Sequence, residues 1–145
     1  MKFEAMEELL SCILRREDAL LDPPTEKDWS LLCSKFGCEF DGSFRMFIEF
    51  MSKYRFPGEI YNVSTGVTNG NDPIGLVYDL ELSMGKWDPR MIPFYGIGNG
   101  DYFCLNKDQC PASPVYYHYL DLDRYEKYSE TFSEWLNQLP DFLSS

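Results

Sequence analysis

Apolar residues recur at intervals of three and four through the first third of the chain, which is the spacing of amphipathic helices. The first run predicts a helix that Pro23 and Pro24 end. A later run predicts a helix from about Ser43 to Tyr54. The apolar stripes of these two helices are Phe3, Met6, Leu9, Leu10, Ile13 and Leu14 in the first, and Phe44, Phe47, Ile48 and Met51 in the second.

Capping residues mark two further helix starts. Thr25 and Asp28 have the spacing of a capping box, and the helix after them carries an apolar stripe. Asp72 followed by Pro73 combines an N-cap residue with proline at the first helical position, which predicts a second start. These two helices are expected to end near Gly37 and Gly85.

The second half of the chain favours strands, because short runs rich in Tyr, Phe and Val alternate with turn residues. We predict strands at 59–63, 91–95, 101–105 and 115–120. A glycine-rich turn joins the second and third of them, and at least one of its later glycines is expected to have positive φ. The structural residues of this turn are predicted to be Gly96, Gly98, Gly100 and Asp101.

The chain is expected to close with a helix from Thr131 to Leu139, which Pro140 ends. The segment 121–130 before it is interpreted as an acidic connection, and 64–72 as a polar turn region. Helices come first and strands follow without βαβ alternation. We therefore predict one α+β domain over 1–145, with a mainly antiparallel or mixed sheet packed by N-terminal helices and a closing C-terminal helix.

Composition excludes several classes of protein. The 145 residues are 44% hydrophobic and 17% aromatic, which excludes intrinsic disorder. No apolar run approaches the roughly 18 residues that cross a membrane. Twenty-four acidic residues against 13 basic ones give a net charge of −11, so nucleic acid and anionic lipid are not expected partners. A basic protein would be attracted.

The cysteines and the N-terminus indicate a reducing compartment. Five cysteines are scattered along the chain, and the acidic N-terminal residues contain no signal-peptide core. Free, partly buried thiols in a cytoplasmic protein are the expected state. Cys104 in particular is predicted to be buried and reduced.

Catalytic, metal and nucleotide sites are not supported by the motifs. The glycine-rich turn has Asp101 where a dinucleotide loop needs its third glycine, and a strand follows it. His118 is the only histidine, and no Cys-x-x-Cys pair exists for zinc. The segment from Asp121 lacks the glycine of a calcium loop. We expect no catalytic residue, no metal and no cofactor.

The aromatic strand at 115–120 and the acidic residues after it allow two interpretations. One is a core strand followed by a solvated loop. The other is a binding face in which tyrosine anchors are bordered by carboxylates, an arrangement that suits a basic partner. The candidate partner-binding residues are Tyr117, Tyr119, Asp121, Asp123, Glu126 and Glu130.

The run 91–105, with its Gly-Asn-Gly-Asp block between two strands, resembles the central signature of the SUKH superfamily. Residues 114–117 resemble the strand that follows, 131–136 resemble the closing helix, and Phe36, Gly37 and 44–48 fit the preceding helical pair. The similarity spans about 25–140. The chain differs from the usual pattern at 39–41, where a Leu-Pro pair is absent.

The resemblance implies a non-enzymatic role. Bacterial members of the superfamily are largely immunity proteins that bind and neutralise a toxin from a sibling cell, and fungal members are regulators of cell-wall synthesis that act as interaction hubs. The expected function is therefore toxin immunity, with an intracellular scaffold or regulatory module as the alternative. The expected partner is a cognate basic toxin, and a monomer is favoured.

Overall fold

The computed structural model describes residues 3–16, 23–63 and 72–144. Over these ranges the chain forms five helices and seven strands. The helices are α1 (Phe3–Leu10), α2 (Glu26–Phe36), α3 (Gly42–Met51), α4 (Ile74–Ser83) and α5 (Phe132–Ser144). The strands are β1 (Arg15–Arg16), β2 (Tyr54–Arg55), β3 (Glu59–Ile60), β4 (Met91–Gly96), β5 (Tyr102–Asn106), β6 (Val115–Tyr119) and β7 (Arg124–Ser129).

Five strands form one antiparallel sheet in the order β3-β4-β5-β6-β7, and β1 pairs with β2 in a separate small sheet. The predicted α+β class and antiparallel sheet are confirmed. The interpretation of 121–130 as a connection is wrong, because most of it is β7, which pairs with β6 in a hairpin. β7 is an edge strand, so much of its surface is exposed and carries charged residues. These residues obscure the alternation of apolar and polar positions by which a strand is predicted from sequence.

One face of the sheet is covered by α3 and α5. A β-bulge between Pro93 and Tyr95 lets Phe94 and Tyr95, although adjacent, both face the Trp135 ring, at centroid distances of 5.1 and 6.3 Å. Phe47 of α3 meets the same indole at 5.2 Å, edge to face. The resulting aromatic layer is the centre of the hydrophobic core.

The opposite face is covered by α4 and the segment that follows it. The Trp87 ring lies against Tyr102, His118 and Tyr125 of three neighbouring strands, at 5.5, 5.0 and 5.4 Å. The Tyr102 hydroxyl donates to Glu81 Oε1 of α4 at 2.9 Å. Because successive residues of a strand point to opposite faces, Phe103 belongs to the first layer and Tyr102 to the second.

The predicted start and end of α2 are confirmed. The Asp28 amide donates to Thr25 Oγ1, the Thr25 amide donates to Asp28 Oδ2, and Gly37 ends the helix with φ 68°. The prediction that Asp72 caps α4 is wrong, because Pro73 occupies the N-cap position and forms no side-chain hydrogen bond there. The Asp72 carbonyl instead accepts the Asn62 amide, and its own amide donates to Glu59 Oε2.

Three predicted helix ends are displaced by tertiary contacts. α1 ends at Leu10, well before the prolines, because the chain turns there and Arg15 pairs with Arg55. α3 ends at Met51, since Tyr54 already belongs to β2.

α5 runs through Pro140 to Ser144, where the Phe142 ring packs against Phe103 at 5.2 Å and offsets the lost backbone hydrogen bond. The turn region predicted over 64–72 lies outside the described residues except for its last member.

Candidate protein-binding surface

The turn between β4 and β5 depends on glycine. Gly98 and Gly100 have φ of 102° and 95°, a region that other L-residues rarely adopt, so the positive φ predicted here is present at both. Asn99 closes the turn by accepting the Asp101 amide on its side-chain oxygen at 3.0 Å. A Cβ at Gly100 would collide with the Leu120 side chain, which shows how closely the turn approaches the next hairpin.

Asp101 connects this turn to the β6–β7 hairpin. Its Oδ1 accepts the Leu120 amide and its Oδ2 accepts the Tyr117 hydroxyl, both at 2.8 Å. The amide that Asp101 accepts therefore belongs to the neighbouring hairpin and not to its own turn. Desolvation, with the bond to Asp101 as a second cause, raises the pKa of Tyr117. The two loops are therefore held together at one end of the sheet.

Three of the six candidate partner-binding residues share a face of the hairpin. The Tyr117 and Tyr119 rings are 4.7 Å apart, and Glu126 lies opposite Tyr117 in register. Tyr117 packs edge to face on Phe103 at 5.1 Å, so it is partly a core residue. Glu126 forms an ion pair with Arg124, which neutralises its charge locally.

The other three candidates lie apart. Asp123, at φ 46° in the hairpin turn, faces His118 Nε2 at 3.5 Å on the opposite face of the sheet. Glu130 follows the far end of β7 and pairs with Lys127 at 3.4 Å. Asp121 is exposed at the hairpin tip, where it has no hydrogen bond or ion pair with any described residue. The fold thus divides the predicted acidic set between two faces and two ends of the hairpin.

The residues with nucleophilic or acid–base chemistry are separated by the sheet register. Cys104 lies opposite Tyr116, whereas His118 lies opposite Tyr102. His118 is only 4% exposed and sits among aromatic rings. Burial raises the pKa of the Cys104 thiol, which disfavours the nucleophilic thiolate. No group of three or more potential ligands able to hold a metal ion occurs among the described residues.

An exposed apolar surface, which the sequence-based predictions missed, borders the hairpin tip. Its members are large side chains open to solvent, and we call them the α4–hairpin surface: Leu76, Leu80 and Met84 on one stripe of α4 and its end, with Leu120 and Leu122 on the hairpin. Met84 and Leu120 meet around a small cavity of about 130 Å³ that Trp87 and His118 also line. The sequence signal was present, because α4 is apolar on two sides and a helix needs only one side to join a core.

A protein-family model described as SUKH_5, SMI1-KNR4 cell-wall, matches residues 6–141. The chain belongs to this SUKH family. The match covers nearly the whole chain and begins at α1, earlier than the resemblance from residue 25 onwards. No curated protein matches the sequence.

The SUKH match includes every member of the α4–hairpin surface and both loops that Asp101 joins. Proteins of this family are generally non-enzymatic regulators or immunity proteins, and they are associated with protein partners. None of the described helices is long and apolar enough to cross a membrane.

Proposed function

We propose that this SUKH domain is an immunity protein: it binds a cognate polymorphic or contact-dependent toxin and neutralises it without catalysing a reaction. The toxin would act on nucleic acid or nucleotides through a basic cleft, and the inhibitor would act in the cytoplasm. The observation that carries the proposal is the α4–hairpin surface, a set of exposed apolar side chains on a strongly acidic member of the SUKH family.

The exposure and position of these apolar side chains favour a protein partner. Met84, Leu120 and Leu122 are 69%, 55% and 59% exposed, and Met84 and Leu120 line one cavity. Exposed apolar side chains that lie together are typical of interaction sites. Buried apolar contacts would hold the complex together, while surrounding carboxylates would set its orientation. Asp121 lies between the two hairpin leucines and is available to a cation of the partner.

The net charge of −11 supports a basic partner. An acidic inhibitor is steered toward a basic cleft over long range, which raises the association rate more than it lowers the dissociation rate. In the cleft, carboxylates would take the positions of substrate phosphates. Tyr119 and Glu126, on the other face of the hairpin, would form the border of the interface.

The experiment measures association with the protein encoded by the gene directly upstream. The variant combines Asp121→Lys with Asp123→Asn, because Asn tolerates the positive φ of residue 123. We expect slower association at low salt, a difference that shrinks toward physiological ionic strength, and an unchanged melting temperature. A second variant, Met84→Ser with Leu122→Ser, should mainly accelerate dissociation.

The matched control combines Glu8→Lys with Glu4→Gln on the exposed side of α1, which changes the net charge as much as the hairpin variant does; α1 packs against α3 and α5. It should change association less than the hairpin variant does. Equal rates for the hairpin variant and the parent would move the interface away from this surface. If the upstream product does not bind at all, the immunity proposal fails.

The alternative is an intracellular scaffold or regulatory module. It is favoured by the description of the matching family model, which names cell-wall proteins. In that case the same surface would bind a partner unrelated to any toxin, and the chain would not protect cells that express the upstream gene.

A further inference from the structure

A cavity of about 400 Å³ opens beside the hairpin tip, between the β4–β5 turn and β3. Gly98 and Gly100 leave one side without side chains, and Tyr61 and Tyr102 form an aromatic side. Two carboxylates from different parts of the fold, Glu59 and Asp101, complete it. Asp101 also holds Leu120 of the α4–hairpin surface, so the cavity adjoins that surface.

The negative charge around this cavity has no positive partner in the described parts of the chain. Glu59 and Asp101, together with Glu81 behind Tyr102, are absent from the ion pairs formed by the described Lys and Arg residues. The neighbouring sequence 64–71 contains neither Lys nor Arg. Glu59 is half-buried, and desolvation raises the pKa of its carboxyl group. A cation that entered would therefore restore interactions that Glu59 has lost with water.

The aromatic side makes the cavity suited to one kind of cation. The Tyr61 and Tyr102 rings pack against each other with centroids 6.1 Å apart and planes inclined at 50°, and both residues line the cavity beside its carboxylates. A guanidinium group is planar, is weakly hydrated, stacks on aromatic faces and binds carboxylates through two parallel hydrogen bonds. An ammonium group is more strongly hydrated and gains less from such a cavity.

We propose that this cavity is a socket for an arginine side chain of the partner protein. The guanidinium would lie against the tyrosine side of the cavity and bind Glu59, while backbone carbonyls of the glycine turn accept its remaining donors. This inference rests on the proposed function, because it takes the partner to be a basic protein. It adds that the cavity recognises an arginine side chain of that partner.

The test uses a small probe, so that no toxin is needed. N-acetyl-arginine amide is titrated into the ¹⁵N-labelled chain, and the amide signals of Gly98, Gly100 and Glu59 are followed. We expect saturable shifts at these residues. The neutral isostere N-acetyl-citrulline amide should give none, and N-acetyl-lysine amide should bind more weakly.

Glu59→Gln should weaken binding of the arginine probe about fivefold, the effect of losing a partly exposed charge pair. Glu8→Gln, which removes the same charge from α1, should leave it unchanged. Equal shifts with the citrulline or lysine probes, or equal affinity in Glu59→Gln, would overturn the proposal; the probe comparison does so even if the variant folds poorly.

The outcome separates the socket from the proposed function. If the arginine probe binds but the upstream protein does not, the immunity proposal fails and the socket stands. If the upstream protein binds with the parent affinity to a folded Glu59→Gln variant and the arginine probe causes no shifts, the socket alone is wrong.

Discussion

The two faces of the five-stranded sheet are both rich in aromatic residues, yet they differ in the groups that surround the rings. On the α3–α5 face the Trp135 indole is 1% exposed and touches the rings of Phe47, Phe94 and Phe103. On the α4 face the Trp87 indole lies against His118, close to Glu81 and Asp123. The first face is a dry core; the second combines rings with polar groups.

This difference indicates how the domain divides stability from recognition. Edge-to-face packing of buried aromatic rings contributes to the folding free energy and leaves no ring exposed for a partner to bind. The α4 face and the hairpin end keep exposed leucines, carboxylates and a glycine turn near one another. Substitutions in the first region should therefore lower stability, and substitutions in the second should alter binding with little loss of stability.

Trp135→Ala should give the largest effect. Removing a buried indole that five rings surround creates a cavity, and such changes cost about 3–5 kcal/mol. Urea denaturation of parent and variant measures the free energy of unfolding. The control, Leu122→Ala, is exposed and should change it by less than about 0.5 kcal/mol. A Trp135→Ala variant as stable as the Leu122→Ala control would contradict the division between the two faces.

Gly100→Val should come next, at about 1–3 kcal/mol, because the positive φ strains a β-branched residue and its Cβ would meet Leu120. Gly98→Val has the same strain but open space around the Cβ, so it should cost less. Gly42→Ala, at the start of α3, is the matched control and should be neutral or slightly stabilising. Thermal melting of the three variants separates strain from collision; a Gly100→Val variant that melts with the parent would refute this account of the turn.

The bond between Asp101 and Tyr117 should contribute about 1.5 kcal/mol, the usual value for a hydrogen bond to a charged group. A double-mutant cycle with Asp101→Ala and Tyr117→Phe measures it, because the loss of the Leu120 bond in Asp101→Ala is the same with and without the Tyr117 hydroxyl and cancels in the cycle. We expect the effect of the second substitution to be smaller once the first is present. Strictly additive effects would show that the two loops are held together by other contacts.

Alkaline pH should weaken the core through its tyrosines. Burial raises the pKa of Tyr61, Tyr95, Tyr102, Tyr117 and Tyr125 above the value of about 10 in the unfolded chain. The stability they contribute is complete below pH 10 and is lost as the pH rises above it, by up to about 1.4 kcal/mol per pH unit for each tyrosine.

Tyr95→Phe tests the alkaline prediction, because it removes one of the buried tyrosine hydroxyl groups that ionise at high pH. Urea denaturation between pH 9 and 11 should then show a slope against pH that is shallower, with the difference growing toward about one proton at the alkaline end. Tyr128→Phe, at a residue near the exposed edge of the hairpin, should change the slope less. A slope in Tyr95→Phe identical to that of the parent would contradict the burial of this hydroxyl.

Local sequence determined the features that depend on neighbouring residues. The Thr25–Asp28 capping box and the left-handed Gly37 followed from spacing and from glycine's freedom at positive φ. The β4–β5 turn and the antiparallel pairing around it followed from short aromatic runs between glycines. The resemblance to the SUKH superfamily rests mainly on the residues of this turn and its two strands, so it is visible in the sequence alone.

Tertiary structure decided what local preference leaves open or opposes. β7 is a charged edge strand that is stabilised by pairing with β6, and α5 continues through Pro140 because Phe142 reaches Phe103. Asp101 holds the amide of a residue 19 positions away, a contact that no local spacing encodes. The sequence shows the acidic residues of 121–130, but strand alternation and the hairpin turn place them on different faces of the sheet. The sequence by itself determined which chemical groups this protein has. Their arrangement into a dry core and a proposed binding surface required long-range packing, because the packing energy exceeds the energy differences of local conformational preference.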